Sequence, residues 1–101
     1  MWLLIDDQRT LNVDVIARTS EAGKMLAALS FWECICLDHD MGEGQEDGYQ
    51  ILKWMIKEGY LPKRIQLVTS NPVGRQNMTN LLLDFGYFQT HGINFIKKRG
   101  M

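Results

Sequence analysis

What limits the folds open to this chain is the way its apolar residues are grouped. Trp2-Leu3-Leu4-Ile5, Cys34-Ile35-Cys36-Leu37, Ile65-Gln66-Leu67-Val68 and Ile93-Asn94-Phe95-Ile96 are short apolar runs bounded by polar or turn residues, and they read as strands. A fifth run, Val13-Asp14-Val15-Ile16-Ala17, alternates more, as a strand at or near a sheet edge does. Three helix-like segments lie between them. Ser20 caps a run through Leu29 with Met25, Leu26 and Leu29 on one face. Asp47 precedes a run ending near Glu58 with Gly59 as its stop, and Asn71 caps a run opened by Pro72 and closed by Gly86. Strand alternating with helix implies a mostly parallel five-stranded sheet covered on both faces. With 101 residues there is material for one such domain, residues 1–101, and not for two.

One connection departs from the pattern. A crossover between parallel strands normally takes a dozen residues or more, yet about six separate Ile5 from Val13, a spacing that suits a hairpin. Parity argues otherwise. An antiparallel Val13 strand would start the Ser20 helix at the wrong end of the sheet and deliver the chain to the top of the Cys34 strand. Six extended residues span roughly 20 Å, about one strand length. Residues 7–12 are therefore read as an extended return without a helix, leaving Val13–Ala17 parallel to the first strand.

Composition narrows the function classes. Eleven Lys+Arg against twelve Asp+Glu give a formal net charge of -1, so nothing draws the whole chain to nucleic acid or to an anionic membrane, and an anionic ligand must be met locally. The longest apolar runs are far short of the ~20 residues of a membrane span, and Met1–Ile5 lacks the marks of a signal peptide, so the expectation is a cytoplasmic chain. Cys34 and Cys36, two apart on a strand, point to one side, and inside an apolar run they read as buried thiols before a metal pair or a disulfide. The basic Lys97-Lys98-Arg99 reads as a solvated end before a nucleic-acid patch.

In open α/β sheets ligands bind outside the carboxyl ends of the strands. Here those positions carry Asp6-Asp7 after the first run, Asp38-His39-Asp40 after the Cys34 run, and Thr69-Ser70-Asn71 after the Ile65 run. Carboxylates from adjacent strands repel at one edge unless a cation or a raised pKa relieves them. A hard divalent ion, Mg²⁺ or Mn²⁺, held by oxygens is the simplest relief, leaving positions for water and a phosphate. Thr69 and Ser70 add hydroxyls. The helix start at Asn71-Pro72 favours an anion, and Arg75, one turn in, would add a bidentate contact. Gly74 lets an anion approach the backbone or merely permits close helix packing. His39 is a general acid or base, or a loop side chain bonding a neighbouring carboxylate.

These residues resemble the receiver domain of two-component response regulators. Asp6-Asp7 looks like its metal-binding pair, Asp38 falls where its phospho-accepting aspartate closes the third strand, and Met41 stands three residues on, as in Asp-x-x-Met-Pro, with Gly42 in place of the proline. Asp47-Gly48 resembles the turn opening the next helix, Thr69 matches the switch hydroxyl, and Lys98 falls at the conserved-lysine position. A closer resemblance runs from Leu4 to about Leu83. Asp6-Asp7-Gln8-Arg9-Thr10, Ala17-Arg18-Thr19, Leu37-Asp38-His39-Asp40-Met41-Gly42 and the segment from Ser70 to Met78 are together similar to the cyclic-phosphate processing receiver domain, a divergent group that shares the short first crossover.

The resemblance implies a flavodoxin-like sheet of strand order 2-1-3-4-5, with the first crossover helix and the last helix missing. It also implies a site in which Asp6, Asp7 and Asp38 hold the ion, while Asp38, His39, Asp40, Thr69, Ser70 and Lys98 act on a phosphoryl group. Asn71, Gly74, Arg75 and Asn77 would bind its oxygens. The expected ligand is a phosphate-containing small molecule or a nucleic-acid end, with a protein partner also open and no membrane. Phosphate processing or phospho-acceptance at Asp38 stands beside a binding or sequestering module without turnover, and beside a plain scaffold.

Overall fold

A computed structural model describes residues 1–98 of the chain; Arg99, the last residue of the basic tail, lies outside them. The strands are β1 (Trp2–Ile5), β2 (Val15–Ala17), β3 (Cys34–Leu37), β4 (Arg64–Leu67), β5 (Tyr87–Gln89) and β6 (Asn94–Lys97). The helices are α1 (Ser20–Leu29), α2 (Gly48–Glu58) and α3 (Pro72–Asp84). Each helix starts on a side-chain cap. Asp47 and Gln50 form a reciprocal capping box on α2, and the Asn71 Oδ1 accepts the Gly74 N–H at 3.0 Å ahead of Pro72. On α1 the cap is Thr19 and not Ser20, the Thr19 hydroxyl accepting from the Ala22 N–H. Ser20 is buried in the first turn and donates its hydroxyl to the Glu46 carbonyl, which fastens the loop before α2. Gly59 ends α2 at φ 80°, a left-handed position glycine adopts without strain.

The sheet order is β2-β1-β3-β4-β6-β5. β1 pairs in parallel with both β2 and β3, and β3 with β4, so the parity argument for a parallel second strand holds and residues 7–14 return without a helix. Beyond β4 the five-stranded expectation is corrected. The run at Ile93–Ile96 forms β6, which lies beside β4 as expected but runs antiparallel to it, and the unforeseen β5 pairs antiparallel with β6 at the edge. The physical cause is the short link. Only Phe85 and Gly86 separate α3 from β5, and the turn through Gly92, at φ 59°, then folds Tyr87–Lys97 into a hairpin that docks by its second arm.

The expectation of helices on both faces is also corrected. Leu3, Ile5, Ile35, Leu37, Ile65 and Leu67 form one core with Ala27 of α1, Ile51, Leu52 and Met55 of α2, and Met78 and Leu82 of α3. The opposite face carries a smaller cluster of Leu4, Cys34 and Cys36, flanked by Trp2, Val13, Ile16 and Val68, without a helical residue. Right-handed crossovers explain this. The steps β2→β3, β3→β4 and β4→hairpin all move the same way across the sheet and place their helices on one face. Only β1→β2 moves the other way, and it has no helix. Both cysteines are buried and unbridged on that second face, as their spacing predicts. Among the described residues no helix is long and apolar enough to cross a membrane.

Candidate functional site

Parallel β1, β3 and β4 end at one edge, so the residues after them converge by topology alone. Carboxylate oxygens of Asp6, Asp7 and Asp38 all lie within 4.8 Å of one another. They line a cavity of about 400 Å³ together with Gln8, Arg9, Asp40, Gly42 and Ser70. The backbone of the neighbouring loop fits under them by using glycine. Gly42 has φ 97°, and a Cβ there would stand 3.4 Å from Asp7 Oδ2. Proline is held near φ -65°, so the proline of the receiver pattern cannot occupy this position.

Asp6 is fully buried. Its Oδ1 accepts the N–H groups of Gln8 (2.9 Å) and Arg9 (3.0 Å), which bends the chain into the return loop, and its Oδ2 accepts the Arg9 guanidinium at 2.9 Å. Burial pushes this carboxyl up, but those hydrogen bonds and the Arg9 charge outweigh it and hold the group below the usual carboxylate range. Asp38, its side chain 7% exposed, goes the other way. Burial and the neighbouring Asp6 charge raise it, against opposing contacts from the His39 N–H, Arg9 and the Thr69 hydroxyl. Two carboxylates facing one another are thus driven apart in acidity, with the readily ionised one tied to the loop.

Arg9 is the residue that sequence reasoning placed in a motif without giving it a role. Its Nη1 sits 2.9 Å from Asp6 Oδ2 and 3.3 Å from Asp38 Oδ1, and its Nη2 reaches Ser70 Oγ at 3.4 Å. Arg18 holds the loop that presents it, with Nη1 donating to the carbonyls of Asp6 and Arg9 and Nη2 to Thr10 Oγ1. A basic residue three positions after an acid at a strand end was the available signal for Arg9; Arg18, which follows β2, stood in the Ala17-Arg18-Thr19 motif, but its hold on the Arg9 loop was not readable from it.

The expectation for Lys98 is corrected. β6 runs antiparallel, so its last residues reach the amino edge of β4, where Lys97 N–H donates to the Lys63 carbonyl and Lys98 N–H to the Gly86 carbonyl. Lys98 is thereby at the far edge from Asp38. Arg9 supplies the cation at the site instead.

The remaining candidates divide by where they point. Ser70 and Asp40 line the cavity. Thr69 is buried, its hydroxyl oxygen accepting the Asn71 N–H at 3.0 Å while the group faces Asp38. Asn71 caps α3 with its oxygen, and its Nδ2 lies 3.3 Å from both carboxylate oxygens of Asp40. Hydrogen bonds from His39 and Asn71 hold Asp40 below the usual carboxylate range. His39 does not line the cavity. Its Nδ1 meets Asp40 Oδ1 at 2.9 Å and its Nε2 faces Asp47 Oδ2 at 3.7 Å, so it bonds a neighbouring carboxylate in the manner of a positioning side chain. Arg75 turns back to donate to the Thr69 carbonyl, and Asn77 is exposed in the second turn of α3.

Gly74 is settled in favour of packing. A Cβ there would lie 2.4 Å from the His39 ring, and the Gly74 N–H is already taken by Asn71. The expected result for Gly74→Ala is a loss of about 1–3 kcal/mol, because the ring must leave Asp40 or the helix must shift. In a urea double-mutant cycle, His39→Ala in the Gly74→Ala background should recover part of that loss; strictly additive costs would show that ring and glycine do not touch.

The order of the strands through β4, the acidic pair after β1 and the buried acid closing β3 define a receiver-like α/β domain. The family model for the cyclic-phosphate processing receiver domain matches residues 1–84, and the chain belongs to that family. The match ends where α3 ends, so the hairpin that displaces Lys98 lies beyond it. No curated protein and no solved structure matches the chain.

Proposed function

We propose that this domain binds a phosphoryl group or cyclic phosphate at its carboxyl edge with the help of Mg²⁺ or Mn²⁺. The observation that carries this reading is the convergence of the Asp6, Asp7 and Asp38 carboxylates within 4.8 Å. The donor set fits: all three are hard carboxylate oxygen ligands, the kind a divalent ion such as Mg²⁺ takes together with waters and a phosphate oxygen. When bound, the ion would screen the carboxylates and polarise a phosphoryl oxygen. The chain's own contribution is to seat that oxygen. Ser70 faces the cavity, Thr69 and the His39 N–H orient Asp38, and Asp40 is held beside them by Asn71.

Amide signals of Asp6, Asp7 and Asp38 should move together on addition of Mg²⁺, and Asp7→Asn should weaken binding at least ~tenfold. Signals unmoved at saturating ion would remove the metal. Two uses of the site then separate. If Asp38 accepts the phosphoryl group, one of its oxygens bonds phosphorus as the donor's leaving oxygen departs, and a small phosphodonor adds a hydroxylamine-labile phosphoryl mass that Asp38→Asn abolishes. If water attacks instead, a ring P–O bond of a 2′,3′-cyclic nucleotide opens. Binding without turnover is the second reading, supported by Asp38 being 7% exposed and already engaged by Arg9.

A further inference from the structure

Four carboxylates, Asp6, Asp7, Asp38 and Asp40, and one basic side chain, Arg9, line the carboxyl-edge cavity among the described residues. That side chain does not sit at the rim. Its Nη1 lies between the two buried acids, 2.9 Å from Asp6 Oδ2 and 3.3 Å from Asp38 Oδ1. A lone pair engaged by an N–H is not free for a metal ion, and a guanidinium packed beside a divalent cation adds like-charge repulsion. The same side chain is the best available ligand for a phosphate. It is 36% exposed, it presents a planar fork of donors of which Nη2 is held only by a 3.4 Å contact to Ser70, and Lys98 is at the other edge of the sheet.

We propose that Arg9 is an exchangeable internal cation: it neutralises Asp6 and Asp38 until a divalent ion takes its place, and it then turns toward Ser70 to hold the phosphoryl oxygens. The proposal rests on the metal-assisted phosphate reading and deepens it. It makes Arg9 a competitor of the first ligand and a partner of the second. Removing its charge must therefore move the two affinities in opposite directions. A residue that only tied the loop together would move neither in this way, since the loop's backbone bonds to Asp6 and its hold by Arg18 do not use the Arg9 guanidinium.

The test is calorimetry on the full chain and on Arg9→Met, first with Mg²⁺ alone and then with beryllofluoride at saturating Mg²⁺. Arg9→Met should bind Mg²⁺ about tenfold more tightly than the native chain and beryllofluoride about tenfold more weakly, within the usual range of coupling between sites. A second measurement does not depend on a variant folding: the Arg9 Nε–H signal of the native chain should shift on addition of Mg²⁺ and again with beryllofluoride. Equal or weaker Mg²⁺ affinity in Arg9→Met, or an Arg9 signal indifferent to the ion while the Asp6 and Asp7 amides move, overturns the exchange and leaves the metal site standing. No Mg²⁺ binding by either protein removes the metal reading itself, and the exchange with it.

Discussion

Gly48→Ala is expected to cost about 3 kcal/mol or more. A Cβ at Gly48 would stand 1.8 Å from the Asp38 carbonyl oxygen, 2.8 Å from its carbon and 2.9 Å from His39 Cα. All three are backbone atoms, so no side chain can swing aside. The approach is this close because the Gly48 N–H donates to the His39 carbonyl at 2.7 Å, which anchors the start of α2 against the end of β3. Gly44→Ala is the control: nothing lies near its Cβ, and only its φ of 78° opposes the change, at about 1 kcal/mol. Urea midpoints shifted equally in the two variants would refute the contact.

Asp6→Ala should cost about 2–3 kcal/mol, because two loop N–H groups lose their acceptor and Arg9 loses its nearer partner. The partial exposure of Arg9 keeps the loss below that of a wholly buried pair. Asp6→Asn retains an acceptor oxygen and should cost less. The pH dependence separates charge from geometry. The folded carboxyl titrates below its ordinary value near ~4, so its stabilisation is present above that value and fades as pH falls through the lower folded one. Asp6→Asn should flatten the acid limb of the stability curve; an unchanged limb would mean that neither the loop N–H groups nor Arg9 stabilise the charged form of Asp6.

Both variants probe parts that differ in how visible they are in the sequence. Strands through β4, the capping role of Asn71 and the convergence of Asp6, Asp7 and Asp38 were legible, because apolar periodicity and cap chemistry act locally and parallel topology does the rest. The orientation of the last strand was not. Ile93–Ile96 reads identically in either direction, and only the preceding Tyr87-Phe88-Gln89, aromatic and followed by His91-Gly92, signals a hairpin. That one reversal removed Lys98 from the site. The contacts of Arg9 and Arg18 and the seat of His39 on Gly74 were also hidden, since they depend on which way side chains turn inside loops. The periodicity of a strand carries no such information.

The reversal of β6 also separates charge over the length of the molecule. Asp6, Asp7, Asp38, Asp40 and Asp47 outnumber Arg9 and Arg18 at one end of the sheet, while Lys63, Arg64, Lys97 and Lys98 outnumber Glu33 at the other. A chain with a formal net charge of -1 is therefore an electric dipole with an acidic pole at its own binding cavity. Long-range attraction draws small cations to that pole and turns phosphates away from it, so added salt slows capture of the first and eases approach of the second.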